Sequence, residues 1–134
     1  MHELSIALGI VKIAEQEARK AGARQVKKIT LEIGHLAGVE YEALDFAWPL
    51  AVQDTVLEGA ERVINKIAGR ARCLECDKQY ALQHLYDGCP YCGSYFKDIL
   101  KGKELLVRSL ELLMPKEEQP LADAPAGNEL LTKN

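Results

Sequence analysis

CLECDKQYALQHLYDGCPYC, Cys73 to Cys92, holds all four cysteines of the chain in two Cys-x-x-Cys pairs, Cys73 with Cys76 and Cys89 with Cys92. Two residues between thiolates let one tight turn aim both sulfurs at one ion. Two such turns facing each other close a tetrahedral S4 cage. In the second pair Pro90 sets a turn and Gly93 supplies a left-handed position. Twelve residues lie between the pairs, enough for a short hairpin or loop. The stretch therefore reads as a zinc-knuckle or ribbon module. A closed S4 site has no open coordination position, so it staples or senses and does not catalyse. Other uses of four thiols compete with this one. Two disulfides need an oxidising compartment, and no secretory pattern precedes the first helix. A thioredoxin-like dithiol needs one pair on a βαβ scaffold. Rubredoxin-like iron is the stronger rival, because Cys-Pro-x-Cys-Gly serves it too. Against it, Asp77 rather than glycine follows Cys76.

The flanks of this stretch predict an α+β fold. Leu4, Ala7, Leu8, Val11, Ala14 and Ala18 recur at helical spacing, widened by Ile6, Ile10 and Ile13. A helix therefore begins almost at the amino terminus, with Gly22 as its C′ residue. Gln25 to Gly34 alternates Ile29, Leu31 and Ile33 with Lys28, Thr30 and Glu32, the period of a strand. Val39 to about Leu57 reads as a second helix with Ala43, Leu44, Ala47, Trp48 and Ala51 on one side, kinked or broken at Pro49. Glu61 to Arg72 reads as a second strand and Glu104 to Met114 as a third. Strand–helix–strand calls for a right-handed crossover between parallel neighbours. The expected architecture is a three-stranded mixed sheet with both helices on one face and the zinc module inserted before the last strand. The corresponding domains are 1–72 with 103–114, a zinc module at 73–102, and a disordered tail at 115–134, where three prolines and alternating charges replace periodicity.

Bulk numbers narrow the function. The chain has 134 residues, a hydrophobic content of 48% and a net charge of −3. That is one domain, or one domain with a small insertion, lacking the phosphate-binding electrostatics of a typical nucleic-acid module. No run reaches the ~18 apolar residues of a membrane helix, so the chain is expected in the cytoplasm. It carries no Ser/His/Asp set, phosphate-binding glycine loop or paired-carboxylate motif, and so no enzyme is expected.

The second place where chemistry gathers is Met1-His2-Glu3: an amine, an imidazole, a carboxylate and the backbone nitrogens between them. The Met1 amine and the His2 amide nitrogen close a five-membered chelate ring on a metal, and the His2 ring can close another. Amide nitrogens ligate only when deprotonated, which favours Ni(II) or Cu(II) in a square-planar field. Amides in a first helical turn have no intrahelical acceptor, so ligation breaks no helix bond. Glu3 is a nearby carboxylate, and Glu40 another if the second helix starts close by. His35 and His84 are further possible ligands, with Asp87 beside His84. On the residues alone, His2 also fits an ordinary surface histidine.

Met1-His2-Glu3-Leu4-Ser5 opening a helix, a strand ending Glu32-Ile33-Gly34, the two Cys-x-x-Cys pairs and a Leu-rich last strand together resemble the HypA/HybF family, the nickel metallochaperones of [NiFe]-hydrogenase maturation. The resemblance spans residues 1 to about 114. It implies nickel at His2 with neighbouring backbone nitrogens, to which the residue chemistry adds the Met1 amine and Glu3 as expected members of the site, and it implies structural zinc on Cys73, Cys76, Cys89 and Cys92. It further implies delivery to the hydrogenase large subunit with a HypB-like GTPase and service to urease, with its accessory proteins, in some bacteria; the chain is expected as a monomer or homodimer, which the sequence does not decide. A small zinc-ribbon interaction or nucleic-acid-binding protein and a rubredoxin-like iron electron carrier are the alternative readings.

Overall fold

α1 (Glu3–Ala21) opens the chain and β1 (Gln25–Gly34) follows it. Gly22 closes α1 in the left-handed conformation (φ 74°). The next amide, Ala23 N–H, reaches back to the Ala18 carbonyl at 2.8 Å, the long bond of a Schellman cap. Then come α2 (Tyr41–Val52), β2 (Glu61–Ile67), β3 (Arg70–Cys73), β4 (Gln79–Ala81), β5 (Lys97–Lys101), β6 (Leu105–Leu113) and β7 (Thr132–Lys133). This computed structural model describes residues 2–114 and the backbone of 132–133. The tail expected to be disordered lies mostly outside them; Thr132–Lys133 pair antiparallel with Leu110 and Glu111 of β6. No helix among the described residues is long and apolar enough to cross a membrane.

The first sheet has the order β2-β1-β6-β7. Its mixed character follows from the backbone bonds. Val26 N–H donates to Val56 C=O before β2, and His35 N–H donates to Ile67 C=O at the end of β2, so β1 and β2 run parallel. Gly34 N–H donates to Glu104 C=O and Leu36 N–H to Gly102 C=O, so β6 runs antiparallel to β1. The second sheet, antiparallel, has the order β4-β3-β5.

The chain divides into two compact units, one from Met1–Leu31, Glu40–Val63 and Val107–Asn134, the other from Glu32–Val39 and Ile64–Leu106. In the first, α1 and α2 pack together, and Val26, Ile29, Leu31, Leu44, Trp48, Leu57, Leu110 and Leu112 are buried. The second is built around Leu36, Ala71, Cys73, Tyr80, Leu82 and Cys89, with Cys76 and Ile99 against them.

Four details depart from the expectations. The buried stripe of α1 is Glu3, Ala7, Ile10, Val11, Ala14 and Ala18. Leu4, Leu8 and Ile13 lie on its flanks and are exposed. α2 runs through Pro49 but stops at Val52, and the residues to Gly59 are turns. The strand expected over Glu61–Arg72 is two strands broken at Ala68–Gly69, where a Cβ on Gly69 would collide with the Leu82 carbonyl. The cysteine module carries a three-stranded sheet of its own, more than the short hairpin or loop expected between the pairs.

Candidate metal centres

Each Cys-x-x-Cys turn is held by the same three bonds from backbone N–H groups, two to carbonyls and one to sulfur. Asp77 N–H donates to Cys73 C=O at 3.0 Å, and Gly93 N–H to Cys89 C=O at 2.8 Å. Cys73 N–H donates to Lys78 C=O at 2.9 Å, and Cys89 N–H to Ser94 C=O at 2.8 Å. Glu75 N–H and Tyr91 N–H, two residues after the first cysteine of each pair, donate to Cys73 Sγ and Cys89 Sγ, both at 3.4 Å. The fifth residue of each turn is left-handed, Gly93 at φ 82° and Asp77 at φ 68°. Asp77 thus takes the backbone role of a glycine, as a short polar residue can at modest cost, and its carboxylate bonds Arg72 at 2.7 Å. The lack of a glycine after Cys76 therefore does not set the two turns apart, and that argument against iron fails.

The four sulfurs converge. All lie within 4.8 Å of one another, with Cys73 Sγ 3.5 Å from Cys92 Sγ and Cys76 Sγ 3.7 Å from Cys89 Sγ. All four cysteines are free thiols. Sulfurs about 2.3 Å from one tetrahedral zinc stand ~3.8 Å apart, so the cluster fits a structural zinc site. It is also the one group of three or more candidate ligand side chains among the described residues.

The thiols hold their protons unequally. The Cys76 N–H, helped by the Glu75 N–H, outweighs burial and draws Cys73 down to about 6. At Cys89 burial opposes ionisation, but the N–H groups of Tyr91 and Cys92 prevail and its pKa falls. At Cys76 the Lys78 N–H favours ionisation, yet burial and the Cys89 and Cys73 thiols raise it. At Cys92 the Ser94 N–H is likewise overcome by Cys73, burial and the remaining thiols, up to about 12. In each turn the first cysteine is shifted toward ionisation and the second away from it. Metal binding must therefore release protons and weaken as pH falls.

Tyr80 and Arg72 are neighbours that sequence reasoning passed over. The Tyr80 hydroxyl is buried without a hydrogen-bond partner. Burial first, then the charge of Cys89 and Cys73, pushes its pKa up. Arg72 lies between Asp77 and, at 3.6 Å, Asp98, tying β3 to the first knuckle and to β5. The alternation of Ala71 with Cys73 and of Tyr80 with Leu82 was the available sign that strands carry these residues inward.

At the start of α1, His2 is exposed and makes no side-chain cap bond. Its carbonyl accepts the first helical bond, from Ile6 N–H at 2.9 Å, so the amides of Glu3, Leu4 and Ser5 precede the helical ladder. Glu3 is buried, and its Oε2 accepts the Glu40 N–H at 2.9 Å. Glu40 is the N-cap of α2, so it does stand beside the start of α1. That hydrogen bond is the leading cause holding the Glu3 carboxyl below the usual range, with His2 adding to it. Met1, the expected amine donor, lies outside the described residues.

The remaining histidines belong to the second unit. His35 and His84 both line a cavity of about 360 Å³ together with Gly69, Leu82 and Gln83. His84 stacks on Tyr86 at 5.0 Å, with its Nδ1 3.6 Å from Asp87 Oδ1. Neither histidine is part of the cysteine cluster.

Comparison with known proteins supplies the family. A family model described as hydrogenase/urease nickel incorporation, metallochaperone, hypA, matches residues 1–112. A hydrogenase maturation factor HypA from Parabacteroides distasonis is 46% identical over 110 residues, 82% of this chain and 96% of that protein. Another from Geobacter metallireducens is 42% identical over 112 residues, 84% and 99% of the two chains. The solution structure of the nickel metallochaperone HypA from Helicobacter pylori superposes with a TM-score of 0.62 at 23% identity, covering 85% of this chain and 99% of its own, a likeness of fold. On the family match and the identity of these relatives, the chain belongs to the HypA family of hydrogenase and urease nickel-incorporation metallochaperones.

Proposed function

We propose that this chain carries Ni(II) at its amino terminus, on the Met1 amine, the His2 imidazole and adjacent backbone nitrogens, with Glu3 as the neighbouring carboxylate. As a metallochaperone for hydrogenase maturation, it would hand the ion to the [NiFe]-hydrogenase large subunit together with a HypB-like GTPase, in the cytoplasm, without catalysing a reaction itself. The same carrier chemistry would serve urease where that enzyme is present. The observation that carries the ligand assignment is the exposed, uncapped His2 at the head of α1, followed by amides that precede the helical ladder. A carrier has to release its ion. An exposed site with nitrogen ligands that reprotonate on acidification meets that need, whereas the closed S4 cage does not. Family membership favours this reading over a nucleic-acid-binding ribbon and over an iron electron carrier.

The test is nickel titration of protein with an untagged amino terminus. The wild-type chain is expected to take one equivalent as a yellow, diamagnetic complex. His2→Ala is expected to lose it while keeping zinc and its circular dichroism, because the two sites share no ligand. One residue added before Met1 should also weaken nickel, since it turns the amine into an amide. A folded, zinc-loaded His2→Ala protein that binds nickel with unchanged affinity would refute the assignment.

A further inference from the structure

The outer face of α2 exposes large apolar side chains to solvent. Phe46 is 89% exposed and Leu50, one turn later, 67%. Beside them Leu4 of α1 is 42% exposed. These three, with Ala47, Pro49 and Gln53, line an open groove of about 540 Å³ within the first unit. A mid-helix phenylalanine almost wholly in water contributes little to the fold, and an apolar stripe at i and i+4 continued onto a second helix is the pattern of a helix-binding groove. By contrast, the neighbouring groove between Leu8 and Thr55 is lined by Lys12, Glu15, Gln16 and Arg19.

The charge of the segment that carries the groove selects its occupant. From Glu40 to Glu61 the chain carries six exposed carboxylates, Glu40, Glu42, Asp45, Asp54, Glu58 and Glu61, and no lysine or arginine. Glu42 lies one helical turn before Phe46, on the same stripe. The first cation after this stretch, Arg62, bonds Asp45 and stands 5.0 Å from the Trp48 ring. A second copy of this chain docking by its own α2 would set one acidic helix against another, because a two-fold interface is self-complementary.

We propose that this groove docks a cationic amphipathic helix of a partner protein, its apolar side chains against Phe46, Leu50 and Leu4 and its lysines or arginines toward the α2 carboxylates. Leu4 is two residues from His2, so the docked partner stands next to the amino terminus. That consequence rests on the nickel reading, whereas the docking itself does not.

The experiment uses the full-length zinc-loaded chain, 15N-labelled and free of nickel, with two synthetic helices of about 18 residues, one patterned Leu/Lys and one patterned Leu/Glu. The Leu/Lys peptide is expected to shift the amides of Leu4, Phe46 and Leu50, to bind more weakly as salt rises, and to lose about tenfold or more in affinity in Phe46→Ser/Leu50→Ser. That double variant is expected to melt as the wild type does, because both side chains are already exposed. The Leu/Glu peptide should not bind, and His2→Ala should bind the Leu/Lys peptide normally, so a failure at the nickel site leaves this result standing. Shifts confined to other surfaces, or affinity unchanged in the double variant, would overturn the proposal. Sedimentation showing a dimer that the double variant abolishes would overturn it in favour of a second copy.

Discussion

Glu3 shows how one side chain serves two helices. Its carboxylate leaves the first turn of α1 and accepts the N–H of Glu40, the N-cap of α2. A negative charge there also meets the positive end of the α2 dipole. The hydrogen bond favours the ionised form, so the folded-state pKa lies below that of the unfolded chain. A lowered carboxyl pKa contributes stability that is fully present above the unfolded value, about 4.3 for glutamate, and is lost as pH falls through the folded value. Glu3→Gln keeps the shape and an acceptor oxygen but removes the charge. Its stability deficit is expected to be full at neutral pH and to shrink toward zero on acidification through that window. Chemical denaturation of both proteins across pH checks this, and a deficit independent of pH would show that the charge has no part in joining the helix starts. Amino-acid type alone gave weak guidance here. The sequence allowed Glu3 to be a metal-side carboxylate and Glu40 to be close by, but which atom bonded which depended on a contact spanning 37 residues.

At the scale of elements, periodicity was legible where one face of an element is buried and the other is wet. β1 came out over Gln25–Gly34 as its alternation implies, and α1 ends at Gly22 as its cap signal implies. The four cysteines were legible for a different reason: their spacing encodes a local turn that needs no tertiary information. What stayed hidden were joints where two backbones touch. The run from Glu61 to Arg72 reads as one strand, yet the chain passes from the first sheet to the second at Gly69. There the backbone lies against the Leu82 carbonyl and the Leu36 side chain, and Leu82 N–H donates to Gly69 C=O at 3.0 Å. Gly34 and Gly102 are in the same situation, each meeting the other's backbone or that of Gly69 if a Cβ is added. A glycine chosen for close approach carries no periodic signal, so only its neighbours in space disclose the reason. Gly69→Ala should therefore force the Leu82 backbone to move and destabilise the second unit by about 1–3 kcal/mol. Gly9→Ala, in the exposed middle of α1 with open space around it, should stabilise by up to ~1 kcal/mol through helix propensity. Thermal melts of the two variants decide the matter, and Gly69→Ala melting at the wild-type temperature would contradict the close-approach account.

Across the whole molecule, the two units draw their stability from different sources. The first buries a conventional aliphatic set, from Ala7, Ile10 and Val11 of α1 to Leu44 and Trp48 of α2 and Leu110 and Leu112 of β6. The second gathers eight residues in its core cluster, three of which, Cys73, Cys76 and Cys89, belong to the four-sulfur cluster that fits zinc. Its strands are short, with β4 three residues and β3 four residues long. Such a core cannot offset the ordering of some fifty residues by apolar burial alone, so binding of the metal is part of its folding free energy. Without the ion, nothing offsets the burial of four converging thiols, whose Sγ atoms lie within 4.8 Å of one another. Stripping zinc with a strong chelator at neutral pH is thus expected to collapse amide protection across Ile64–Leu106. The amides of α1, α2 and the early part of β1 should keep theirs, and helical circular dichroism should persist. A single Cys76→Ser substitution should act as the chelator does. Hydrogen exchange read by mass spectrometry separates the outcomes: loss of protection in both units together would mean that the zinc site holds the entire chain, and the division of labour between an aliphatic core and a metal-built core would fail.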